Sequence, residues 1–117
     1  MISCNNSSPE LDGKIWDTFD ETPPMSTYLV AFMVSDLKKL STADGRYSIW
    51  ATDTTVHRAN YTLALTQKVL KFMENYTGVP YNLPKLDSVA EPCYNGGMEN
   101  WGFIVYQLVV RHFIYQI

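Results

Sequence analysis

Residues 58–76 constrain the fold more than any other stretch of this sequence. Leu65, Val69, Phe72, Met73 and Tyr76 recur at helical spacing on one face, while Lys68, Lys71 and Glu74 lie off it. Gly78 and then Pro80 follow, glycine first and proline after, which is how a helix stops. The pattern predicts a helix over 58–76, with Asp53-Thr54-Thr55 supplying capping side chains ahead of it. Shorter alternating segments flank it. Arg46–Ala51 places Tyr47, Ile49 and Ala51 on one side and reads as a strand, as does Lys85–Ala90, which Pro92 stops.

The remaining segments are less regular. Residues 1–24 are polar and read as loop with one short extended piece around Lys14-Ile15-Trp16, and Pro23-Pro24 forbids a helix there. Met25–Val34 follows, apolar on both parities from Tyr28 on, which fits a strand covered on both faces or a buried helical segment. The flanking prolines and the Thr, Tyr, Val and Phe content favour the strand. Ser35–Gly45 is polar and carries the turn signal Asp44-Gly45, so a domain boundary is placed at about residue 46. Tyr81–Pro84 reads as a turn and Phe103–Tyr106 as a last strand. Gln107–Ile117 is apolar, has neither cap nor stop, and looks like chain meant to continue.

Between the last two strands stands Gly96-Gly97-Met98-Glu99-Asn100-Trp101-Gly102. Adjacent glycines let another backbone come close. A single carboxylate beside them suits a site that holds an extended peptide and reads one positive charge. The same residues equally describe a glycine turn between strands with a surface Glu.

Bulk properties narrow the function. At 117 residues the chain is one ordinary domain or pieces of two. Charged residues are 18% and aromatics 14%, a balance that leaves surfaces expecting a covering partner or further chain. A net charge of −3 with a pI near 5.2 provides no basic stripe, which excludes a nucleic-acid partner. Cys4 and Cys93 form either one disulfide or two free thiols, and their spacing is not that of a zinc knuckle. Met1-Ile2-Ser3-Cys4 lacks the pattern of a signal peptide, and no apolar run is long enough to span a bilayer. N-x-Ser/Thr triplets begin at Asn5, Asn6, Asn60 and Asn75, which favours a secretory origin.

Three stretches, in order, resemble one family: the zinc aminopeptidases of the membrane alanyl aminopeptidase (aminopeptidase N, gluzincin) type. Phe19-Asp20-Glu21-Thr22-Pro23-Pro24-Met25-Ser26-Thr27-Tyr28-Leu29-Val30-Ala31-Phe32 looks like the segment that closes the family's N-terminal β-domain. Tyr76-Thr77-Gly78-Val79-Pro80-Tyr81-Asn82-Leu83-Pro84-Lys85-Leu86-Asp87 looks like its early catalytic domain. The glycine stretch is similar to its exopeptidase motif, usually Gly-Ala-Met-Glu-Asn, with Gly97 where most members have Ala. The resemblance implies an α+β fragment in which neither domain is complete. Residues 1–45 would end the N-terminal all-β domain. Residues 46–106 would carry the first sheet and helix of a thermolysin-like peptidase domain, and 107–117 a divergent tail.

The resemblance also implies roles. Gly96, Gly97, Met98, Glu99 and Asn100 would bind substrate, with backbone groups of Gly96, Gly97 and Met98 pairing to the peptide and Glu99 taking its free α-amine. The partner is therefore a peptide with a free N-terminus. The parent enzyme would hold zinc through H-E-x-x-H and a distant Glu and remove N-terminal residues on the extracellular side of the plasma membrane. That zinc motif is absent from this sequence. Its two histidines, His57 and His112, lack its spacing, so no zinc is expected to bind this chain and it is expected to be inactive alone. Similarity ends abruptly at about residue 107, as in a truncated or alternative transcript. Cys93 falls where the family commonly has Asp and is read as an inert, half-buried thiol. Trp16, Trp50 and Trp101 are read as core or interdomain packing. Strands lacking their sheet partners should leave edges prone to self-association. The alternative is a catalytically inactive short product that binds peptides or associates with the full enzyme.

Overall fold

The computed structural model describes residues 4–11 and 14–108. Two strands, β1 (Cys4–Leu11) and β2 (Lys14–Phe19), pair antiparallel as a separate two-stranded ribbon. The extended piece expected at Lys14–Trp16 is thus part of β2, and β1 turns much of the polar segment into strand.

A five-stranded sheet follows, with spatial order β3-β4-β5-β7-β6. It comprises β3 (Lys38–Ser41), β4 (Tyr47–Ala51), β5 (Leu86–Glu91), β6 (Gly97–Asn100) and β7 (Phe103–Gln107). Its centre, β4-β5-β7, is parallel, and each outer strand is antiparallel to its neighbour. Parallel neighbours need a crossover. Between β4 and β5 it is supplied by a one-turn helix, α1 (Asp53–Val56), and the long helix α2 (Asn60–Thr77). The class is α+β, as expected. β3 lies before residue 46 and is nevertheless hydrogen-bonded to β4, so the sheet runs across that position.

α2 ends where the sequence says it must. Gly78 adopts φ 68°, ψ 11°, and its N–H donates to the Glu74 carbonyl. Its start differs from expectation. Asp53-Thr54-Thr55 does not cap α2 but forms α1, and Ala59, the residue before α2, makes no side-chain cap.

Two further expectations are corrected. Met25–Val34 is not a strand. Only a 3-10 turn forms, at Thr27–Leu29, and Phe32 and Val34 are 73% and 93% exposed. Apolar residues of both parities specify a covered strand only where a sheet is present to cover it. Cys93 is exposed rather than half-buried, because it sits in the turn after β5.

The core is small. Ile49, Ala59 and Leu63 form its buried centre, with Leu40 and Tyr47 packed against it. It joins the first turn of α2 to β3 and β4. Beyond that turn α2 stands away from the sheet.

Candidate functional site

β6 is the last strand of the sheet, and only β7 pairs with it among the described residues. A two-residue link, Trp101-Gly102, joins β6 to β7. Gly102 takes φ 74°, and a Cβ there would meet Leu83 Cδ1 and the Lys85 carbonyl, each at 3.5 Å. A side chain would therefore be strained by the backbone and crowded by its neighbours. Gly96 has φ 105° at the opposite end of β6. The two glycines fix where this short strand begins and ends.

Register decides what β6 presents. The Gln107 N–H donates to the Gly96 carbonyl at 2.8 Å, and the pairing runs Gly97 with Tyr106, Met98 with Val105, Glu99 with Ile104, and Asn100 with Phe103. In an antiparallel pair every second residue turns its backbone groups outward. Here those residues are Gly97 and Glu99, while Met98 bonds inward to Val105. An open edge thus offers two residues' N–H and C=O groups for another strand.

Side chains alternate as well. Glu99 shares a sheet face with Ile104, which lines a groove of about 950 Å³ between the sheet and α2. Leu65, Val69 and Met73 of α2 form one wall of this groove, and Leu86, Ile104 and Tyr106 belong to the other. Glu99 is exposed and forms no ion pair with another described residue. Its field is nonetheless felt: burial, and then the Glu99 charge, raise the Tyr106 hydroxyl above its ordinary pKa.

Asn100 points to the opposite face. It is buried, and its Nδ2 donates to the carbonyls of Leu29 at 3.1 Å and Tyr28 at 3.4 Å. The structure therefore brings the glycine stretch together as one strand but divides it by face. Gly97 and Glu99 turn toward the groove, and Met98 and Asn100 away from it. Sequence reasoning gave all five residues to the substrate and the backbones of Gly96, Gly97 and Met98 to pairing with it; here the Gly96 carbonyl and Met98 bond inward to β7, which could not be read before the register is known.

The described residues do not fit a metal site. No three His, Cys, Asp or Glu side chains among them converge, and His57 is exposed at the end of α1. His112 lies outside the described residues, as does the side chain of Trp16. Trp50 lies under the Lys39 ammonium, 5.5 Å from the ring centre, and Trp101 is exposed beside β6. The groove and the Asn100 contacts were missed in the sequence, since both depend on where distant segments meet.

A mixed sheet with a helical crossover of α1 and α2 and a glycine-bounded edge strand describes a class of domain; comparison with known proteins identifies the family. Residues 61–114 match the model described as "Peptidase family M1 domain". Endoplasmic reticulum aminopeptidase 1 of Mus musculus is 44% identical over 100 residues, covering 82% of this chain and 11% of that protein. Mitochondrial aminopeptidase 2 of Saccharomyces cerevisiae is 42% identical over 101 residues, 84% of this chain and 11% of its own. Glutamyl aminopeptidase of Bos taurus is 39% identical over 99 residues, 80% of this chain and 10% of its own. The chain belongs to peptidase family M1. It spans about a tenth of the length of these curated relatives. Among the described residues no helix is long and apolar enough to cross a membrane.

Proposed function

We propose that this chain is the substrate-recognising portion of a zinc metallo-aminopeptidase, a peptidase that removes residues from peptide N-termini. Residues 1–45 would close its N-terminal β-domain, 46–106 would open its thermolysin-like domain, and the zinc would be held by parts of the parent beyond this chain. The parent would work on the extracellular side of a membrane.

The observation that carries the reading is the geometry of β6. Among the described residues, Gly97 and Glu99 turn their backbone groups to an edge that no other strand pairs, and the Glu99 carboxylate lies on the groove face, exposed and without an ion pair. An extended peptide can add to that edge by main-chain hydrogen bonds. Its α-ammonium, having no residue before it, can then donate to Glu99. A hydrogen bond between charged groups contributes about 1.5–3 kcal/mol. Blocking the amine by acetylation removes both the charge and the strongest donor. In this reading Gly96 admits the close approach, and Met98 and Asn100 hold the strand from behind, Asn100 through the Tyr28 and Leu29 carbonyls.

Titration of the full chain with a short peptide, free or N-acetylated, tests this. The free peptide is expected to bind roughly tenfold tighter or better, the counterpart of about 1.4 kcal/mol or more. Glu99→Ala should abolish the difference. Equal binding of both peptides by the unaltered chain would remove Glu99 from the role. A binder that shows the difference while leaving the peptide intact would match the short-product alternative.

A further inference from the structure

Two of the sequence's N-x-Thr triplets fall on α2, and neither is used by the recognition reading. Asn60-Tyr61-Thr62 occupies its first turn and Asn75-Tyr76-Thr77 its last. Fifteen residues separate the two asparagines, which at about 100° per residue is four turns plus about 60°. They therefore point to one side of the helix, about 22 Å apart along its axis. Ala64, Gln67, Lys68 and Lys71 share that side, and all six residues are exposed. Of the groove wall, Val69 and Met73 lie about 120° or more around the helix from either asparagine, while Leu65 lies about 140° from Asn60 and about 80° from Asn75.

We propose that Asn60 and Asn75 are N-linked glycan acceptors, and that the polar side of α2 is a permanently solvated face. Each Asn Nδ2 would bond to the anomeric carbon of an oligosaccharide carried on a lipid pyrophosphate. The bond from that carbon to the pyrophosphate oxygen breaks, the lipid pyrophosphate leaves, and Nδ2 gives up one proton. The remaining amide proton of Asn60 can keep the contact that Nδ2 now makes with the His57 carbonyl at 3.2 Å. Position favours the reaction. Both triplets lie in end turns, which open at least cost, and Asn75 stands just before the left-handed Gly78. Folding afterwards leaves both sugars in water, because both asparagines are exposed, although Tyr61 and Thr62 beside the first one line the groove. The proposal stands independently of the Glu99 reading.

The test is expression of the full chain behind a cleavable leader that directs it to the endoplasmic reticulum of cultured animal cells. Site-resolved peptide mapping follows enzymatic deglycosylation, and keeps Asn5 and Asn6 apart from the α2 acceptors. Both Asn60 and Asn75 are expected to be occupied. Thr62→Ala should abolish only the first and Thr77→Ala only the second, each removing one mobility step. Thr62→Ser and Thr77→Ser should retain both, which separates loss of the acceptor from loss of the fold. Occupancy at fewer than both sites in the unaltered chain would overturn the proposal.

Discussion

The two ends of α2 carry similar apolar content and meet different surroundings. Near its start, Leu63 is 8% exposed and packs with Ala59 on Ile49, within reach of Leu40 and Tyr47. Further along, Phe72 is 62% and Tyr76 78% exposed, and their rings stack 6.1 Å apart with no sheet beneath them. Helical periodicity is a property of the segment; burial is a property of what lies opposite. The difference teaches that the stripe of Leu65, Val69 and Met73 is written for a surface that the described residues do not supply.

The contrast is sharpest in a pair of truncations. Leu63→Ala should cost about 2–5 kcal/mol, as for other buried leucines. Val69→Ala, on the open stretch, should change stability by no more than about 0.5 kcal/mol. Urea unfolding of the full chain measures both, and equal losses would mean that the groove is closed in solution.

Glycines of the edge strand give the second contrast. Gly102→Ala places a Cβ against Leu83 and Lys85 at positive φ and should cost about 1–3 kcal/mol. Gly97→Ala meets only ordinary contacts, the Val105 carbonyl at 3.7 Å and Tyr106 Cδ1 at 3.9 Å, at a φ that alanine can adopt. It should be neutral or stabilise by about 0.4–1 kcal/mol through the unfolded chain. The same unfolding experiment ranks the two. A destabilising Gly97→Ala would mean that β6 is not held as described.

The smallest effect is a pH response. The Tyr81 hydroxyl donates to the Lys85 carbonyl at 3.1 Å, and burial, opposed by Arg46 and aided by Asp87, pushes it from 10.0 up to about 12. The neutral form is favoured in the folded chain. Its contribution is therefore complete below pH 10 and lost as the pH rises toward 12. Tyr81→Phe should flatten the stability profile in that window. A profile that falls just as steeply in the variant would assign the loss to other groups.

How much of this was legible in the sequence follows from range. β4, α2, β5 and β7 were readable because each carries its own period and its own stop: Gly78 for the helix, Pro92 after β5. β3 was not, since Lys38-Lys39-Leu40-Ser41 has one apolar residue and becomes a strand only by pairing with β4. Met25–Val34 erred in the opposite direction, with apolar content enough for a strand and no partner to make one. The glycine stretch was legible as a place. Its division into a groove face and a rear face came only with the Gly96–Gln107 hydrogen bond that sets the register. The same limit explains the two sheet edges. Lys38 and Lys39 blunt β3 against stray pairing, while β6 offers Gly97 bare.

The Asn100 side chain has a kinetic consequence. Its hydrogen bonds join positions 72 and 71 residues apart. Closing a loop that long costs entropy that no local contact repays in advance. During synthesis from the N-terminus, Tyr28 and Leu29 leave the ribosome long before their donor exists. They must wait while β4, α2 and β5 are made. The back of the edge strand is thus fastened only after the segments between are made, and an interruption of synthesis before residue 100 releases a chain in which the Tyr28 and Leu29 carbonyls lack the Asn100 donor.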